Sequence, residues 1–251
     1  MPFSLATAER VPFFLEIWRA LAAMWYNKSF HCKGTAAFMN VLPPDLPESL
    51  ESGIDLRDKL SREDRIEECV FTGESYAGEN MKSLDVFRCR FVKCDFSQCN
   101  LEQAGFRDAV FEACDFSNCD FTKAAIQRTV FQGCKLMGAD FVEASLRHVR
   151  FCDVSGGYVN FADSKVQDTA FENSRIPNAA FSRCRLSASF DTCDLQQTLF
   201  QQTPLKDIDL RTCRLQGLQI TLPDLKGAIV TAPQAADLAA LLGLIIREQD
   251  E

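Results

Sequence analysis

Large apolar side chains return at every fifth residue along most of this chain. Stepping from Ile66 gives Phe71, Tyr76, Met81, Val86, Phe91, Phe96, Leu101, Phe106, Phe111, Phe116 and Phe121, and the series runs on to Leu186. Of the 25 positions visited, Gly156 alone is not large and apolar. One residue is then missing, and the series resumes in shifted phase at Phe190, Leu195, Phe200, Leu205, Leu210, Leu215, Ile220 and Leu225. The residue two before each centre is small in most repeats, as at Cys94, Ala104, Cys114, Cys119, Ala139 and Cys193. The residue one before is often an acid or amide, which gives units such as CDFSQ, CDFSN, CDFTK, ADFVE and CDLQQ.

A period of five matches neither the 3.6 of a helix nor the 2 of a strand. Units of this kind resemble the pentapeptide-repeat family, whose consensus is A(D/N)LXX, over about residues 66–227. The resemblance implies an all-β solenoid: a right-handed quadrilateral β-helix of about eight coils, each pentapeptide making one side and one corner. The sequence offers its own check, since residues 20 apart should then stack. Phe71, Phe91, Phe111, Phe131, Phe151 and Phe171 fall in one such column, which the shifted phase extends to Phe190. Cys94, Cys114 and Cys134 fall in another. Both columns are expected in the core, with coils about 4.8 Å apart.

The two ends follow other patterns. In LKGAIVTAPQAADLAALLGLII, Thr231 is placed as an N-cap, Gln234 completes a T-x-x-Q capping box, and Gly243 is placed to stop the helix. Leu244 to Ile246 read as a short strand. A solenoid needs its last open coil covered, so residues 228–251 are expected to form a cap. The resemblance adds a dimer interface, with Leu238, Leu241, Leu242, Leu244 and Ile245 as the candidates for both roles. Residues 39–65 read as an extended, proline-braced lead-in followed by a short helix or irregular cap. Residues 1–38 form an N-terminal extension, apolar over 11–26 but broken by Glu16 and Arg19. That extension has three open readings: a helix packed on the rod, a membrane-surface helix, or a segment upstream of a start at Met39.

Composition narrows the function. With 27 basic and 35 acidic residues, the net charge of -8 argues against a direct nucleic-acid ligand, which needs a basic surface. There is no apolar run long enough to suggest a membrane span, and a cytoplasmic setting is expected. Ten of the 12 Cys sit two before a centre, where a small apolar side chain is needed and a free thiol serves as one. The two His, His31 and His148, lie in different segments, His148 at an outward corner where solvent is expected. No metal, nucleophile or phosphate-binding motif occurs, and no cofactor or catalytic residue is assigned. Gly156 and Gly157 read as a local bulge or kink, or alternatively as a binding notch.

What remains is the outer surface. One face carries Glu102, Asp120, Asp140, Glu143 and Asp163, with the acids spaced about one coil apart, as a candidate partner-binding line. Another carries Arg107, Arg128, Arg147 and Lys165. The lead-in LPPDLPESL, the repeats FRCRFVKCDFSQCNL and FEACDFSNCDF, and the ending LKGAIVTAPQAADLAALLGLII are similar to Qnr-type members of the family, especially those of Gram-positive bacteria. That resemblance implies a homodimeric rod mimicking duplex DNA. It would bind DNA gyrase or topoisomerase IV and shield the enzyme from quinolones. Gram-negative Qnr proteins carry loops that interrupt the repeat, whereas the step here is unbroken from residue 66 to 186. A structural or adaptor rod with a different protein partner is the alternative.

Overall fold

The structure, a computed structural model, describes residues 41–61, 65–239, 241, 243 and 244. All of them belong to the second of two compact units, Thr35–Glu251. The extension at 1–38, with His31, and the proposed start at Met39 lie outside the described residues, as do Leu242, Ile245 and the rest of the expected terminal strand.

Between Ile66 and Ile220 every named element is a strand, and all strand pairs are parallel. The register is one coil: Ile66 lies beside Val86, Phe71 beside Phe91, and Ile126 beside Leu146. On the remaining two sides single bridges do the same work, linking Ser75 to Asp95 and Asn80 to Asn100, until the last coils of the second, where Phe181, Phe200 and Ile220 lie side by side in a three-stranded sheet. The sides are named below by their first centres, Ile66, Phe71, Tyr76 and Met81. The chain is thus a parallel solenoid of about eight coils, because each backbone finds its hydrogen-bond partners in the coils before and after it.

The centres point inward and fill the shaft. Phe71 stacks on Phe91 at 5.0 Å between ring centroids, and the column continues through Phe111, Phe131, Phe151 and Phe171 to Phe190 at spacings of 4.8–5.1 Å. A further column runs from Phe121 through Phe141, Phe161 and Phe181 to Phe200. Neighbouring columns meet edge to face, as at Phe141 and Phe151, so stacked and T-shaped contacts share one core. Cys94, Cys114 and Cys134 line the inner corner as expected, each 1% exposed. Cys114 and Cys134 donate their thiol protons to the carbonyls of Phe91 and Phe111, at 3.5 and 3.4 Å.

Nearly every corner turns through a left-handed residue two after the centre, a feature the apolar pattern does not reveal; the corners after Leu186 and Leu210 do not. Lys93, Gln98, Gln103 and Asp108 all have φ between 54° and 62°. The missing residue before Phe190 is one of these corners: the register shifts between Leu186 and Ala188, and no left-handed residue separates them. Gly156 is neither a kink nor a notch. A Cβ there would lie 2.7 Å from Val159 Cγ2 and 3.1 Å from Leu136 Cβ, so neighbouring side chains fill the space of the absent one.

Both ends are closed. The lead-in runs extended to Glu51, which bridges Cys69, and helix α1 (Leu56–Leu60) buries Leu56 completely. The repeat gives way at α2 (Leu222–Leu225), so Leu225 lies at a helix end instead of a strand centre. Helix α3 (Ala232–Ala239) begins with the expected capping box: Gln234 Oε1 accepts from the Thr231 amide at 2.8 Å. Gln234 Nε2 donates to the carbonyls of Leu210 and Cys213, both at 2.8 Å, covering oxygens that no further coil would satisfy. Gly243 has the left-handed φ of 72°, but α3 is described only as far as Ala239, and Leu244 is in no strand.

Candidate partner-binding surface

Because the core is filled, binding must use the outward positions: one before, one after and two after each centre. An Asp or Asn one before the centre has a folding task. Its carboxylate or amide oxygen accepts the backbone N–H two residues on, from Asp95 to Ser97 at 2.9 Å, from Asn100 to Glu102 at 2.9 Å, and from Asp115 to Ser117 at 2.9 Å. Asp120 and Asp140 do the same for Thr122 and Val142, at 2.8 and 3.0 Å. These short loops explain why an acid or amide recurs there: it prepares the turn that follows.

The five candidate acids lie on the Met81 side, but in three columns. Asp120 and Asp140 are stacked rungs of the column one before the centre. Glu102 belongs to the column one after, and Glu143 and Asp163 to the corner column. Three of the five face a cation one coil away: Glu102 meets Lys82 at 2.6 Å, Glu143 meets Lys123 at 3.8 Å, and Asp163 meets Arg183 at 2.6 Å. The Arg183 guanidinium holds the Asp163 carboxyl below its ordinary value. Asp140 moves the other way: partial burial raises its pKa, and the neighbouring Asp120 charge adds to the shift. The structure therefore leaves the Asp120–Asp140 pair as the uncompensated part of the line.

Pairing one coil apart recurs elsewhere. Arg65 meets Asp85 at 2.6 Å, Lys135 meets Asp115 at 3.0 Å and Arg214 meets Asp194 at 3.5 Å. A more buried example sits on the Ile66 side. Asp108, whose side chain is 1% exposed, takes two hydrogen bonds of 2.6 Å from Arg128 and a third of 3.0 Å from the Asp45 amide. Asp45 also pairs with Arg88, so this cluster straps the lead-in to the shaft. Arg107 lies over the Phe87 ring at 5.9 Å, and Arg147 and Lys165 are exposed. His148 is partly buried at a left-handed outward corner, with its Nδ1 turned away from solvent.

At the C-terminal end the candidates divide. Leu238 is 8% exposed and belongs to the core, whereas Leu241 and Leu244 are 40% and 57% exposed. At the other end an open depression lies among Ser49, Leu50, Glu51, Lys59, Glu67 and Glu68. Its charged walls lack the apolar lining of a ligand pocket. Among the described residues no three His, Cys, Asp or Glu are placed to hold a metal ion, and no helix is long and apolar enough to cross a membrane.

Comparison with known proteins agrees with the repeat. Residues 106–181 match the model of the pentapeptide repeat region. No curated protein sequence matches the chain. Among solved structures it is similar to HetL, a pentapeptide repeat protein involved in heterocyst differentiation regulation in the cyanobacterium Nostoc. The two are 19% identical, the match covers 72% of this chain and 97% of HetL, and the TM-score is 0.39. It is also similar to full-length QnrB1, a plasmid-mediated fluoroquinolone resistance protein, at 20% identity over 70% of this chain and 100% of QnrB1, with a TM-score of 0.37. Rfr23 of the cyanobacterium Cyanothece matches at 14% identity over 70% of this chain and 97% of Rfr23, with a TM-score of 0.18.

Proposed function

Since the chain is a pentapeptide-repeat protein, we propose that it acts without catalysis, as a DNA-mimicking rod that binds a type II topoisomerase, DNA gyrase or topoisomerase IV, and modulates or protects it. The observation that carries the reading is the stacked pair Asp120 and Asp140. Two carboxylates held one rung apart, without a cation between them, offer charge at a regular spacing on a stiff backbone. The Qnr-type lead-in and ending support the same assignment, and the exposed Leu241 and Leu244 at the C-terminal end suit a homodimer. A cytoplasmic location belongs to the same proposal, because that is where such an enzyme is met and where thiols stay reduced.

The test is gyrase supercoiling, with and without ciprofloxacin, over a range of protein concentrations. Dose-dependent change in supercoiling is expected, and Asp120→Asn with Asp140→Asn, which keeps the oxygen that accepts the turn amide as Asn100 and Asn160 do, should abolish it while leaving the melting temperature within a few degrees. No effect of the wild-type protein in either assay would end the proposal. The adaptor reading has its own support. The cations Lys82, Lys123 and Arg183 neutralise three of the five acids, which leaves a weaker DNA-like field than the sequence suggests. Under that reading gyrase is indifferent to the rod.

A further inference from the structure

Within the repeats two large apolar side chains are exposed, whereas the outward Phe87 is covered by Arg88 and Arg107. Met137 and Tyr158 are 48% and 66% exposed; the other exposed ones among the described residues belong to the lead-in or to the C-terminal end from Leu222 onward. Met137 and Tyr158 both lie on the Tyr76 side, on consecutive coils: the Gly138 amide donates to the Gly157 carbonyl at 2.9 Å. Between them is Gly157, and Pro177 follows on the next coil, its carbonyl accepting from the Tyr158 amide at 3.0 Å. A Cβ at Gly157 would lie 3.2 Å from Met137 Sδ and 3.3 Å from Cε, so the thioether lies across the bare backbone of the glycine.

Tyr158 is costly twice over. It occupies a left-handed corner, φ 61°, and among the described residues it is the one Phe, Tyr or Trp with a left-handed backbone. Its column otherwise holds Gly78, Gln98, Asn118, Gly138, Asn178, Gln197 and Gly217, polar residues or glycine. Asn or Gly would relieve the backbone and keep a ring out of water. No packing inside the shaft requires the ring, so the fold bears the strain for something outside it. Two cations stand on the rim; Asp194, the register neighbour of Arg175 one coil on, is an acid taken up by Arg214 at 3.5 Å. Arg175, two residues before Pro177, is exposed and has no acid partner among the described residues, and Lys135, two before Met137, meets only Asp115 at 3.0 Å.

We propose that Met137, Gly157, Tyr158 and Pro177 form a docking surface for a protein segment that presents an apolar side chain beside a carboxylate. Tyr, Met and Arg are the residue types that concentrate at interface centres, where a rim shields them from water. The charge of the rim selects the partner. A second copy laid antiparallel across Gly157 would bring Lys135 against Arg175, cation against cation. Nucleic acid, which the Arg and Tyr could otherwise attract, is opposed by the net charge of -8. The surface lies on a different side from Asp120 and Asp140, and the proposal stands whether or not a topoisomerase binds there.

The experiment pans a phage-displayed random dodecapeptide library against the full chain, with counter-selection on Tyr158→Asn, and measures recovered peptides by fluorescence anisotropy. Enriched peptides should pair Leu, Ile or Phe with Asp or Glu. Their affinity should fall about tenfold or more with Tyr158→Asn or Met137→Ser, and several-fold with Arg175→Gln. Tyr158→Asn should melt at the same temperature or higher, because Asn tolerates the corner. Four results would overturn the proposal: no enrichment over the variant, a basic consensus, tighter binding of a single-stranded oligonucleotide than of any peptide, or a clear drop in melting temperature for Tyr158→Asn.

Discussion

A single pentapeptide combines two demands of opposite kind. The centre and the residue two before it must be apolar or small, which is visible in any walk of five along the chain. The residue two after the centre must accept a left-handed backbone, and its identity hardly shows it: Lys93, Ala113, Arg128 and Glu143 all do so. The ladder of hydrogen bonds between coils imposes that conformation against local preference, so in the sequence it is hinted at mainly by corner glycines such as Gly73, Gly78, Gly133, Gly138 and Gly217 and by Asn118, Asn173 and Asn178. Gly156 misleads in the other direction. Restoring the pattern with Gly156→Leu should destabilise the protein by about 1–3 kcal/mol, because Val159 and Leu136 already occupy the space. Urea denaturation would show this as a lower midpoint, and a rise in midpoint would mean that the core has room.

At the scale of an element, what matters is how the rod begins and ends. The capping box of Thr231 and Gln234 was legible, because capping chemistry is local in sequence. The strap formed by Asp45, Asp108 and Arg128 was not, because it joins residues 63 positions apart and nothing in the spacing announces it. Asp108 is a buried carboxylate, so its stability depends on the guanidinium beside it. Arg128→Leu should cost about 3 kcal/mol and loosen the lead-in, read as faster proteolysis within residues 41–50. Adding Asp108→Asn should recover most of that loss by removing the stranded charge. If the single variant is as stable as the parent, the strap carries no weight. The acidic line falls between these cases. Its spacing was readable, but the cations that neutralise Glu102, Glu143 and Asp163 lie 20 residues away and become neighbours only in the coil.

For the whole molecule the thiol columns set a limit on pH. Burial pushes the Cys89 thiol up to about 12, and the Cys134 hydrogen bond, with burial, pushes Cys114 up to about 12. An unfolded thiol loses its proton near 9. Above that point the unfolded chain binds fewer protons than the folded one, so stability falls as pH rises. The contribution is complete below about 9 and is lost progressively toward 12. Urea midpoints between pH 8 and 11 should therefore decline, and Cys89→Ala with Cys114→Ala should flatten the decline; an unchanged slope would remove the thiols as the cause. The coil register has another outcome. Because each turn holds only its immediate neighbours, the gene encoding it can gain or lose one turn's worth of codons in frame without disturbing either terminus. Length becomes an inheritable dial, moved in whole clicks, that resets the distance between any two features on the outside.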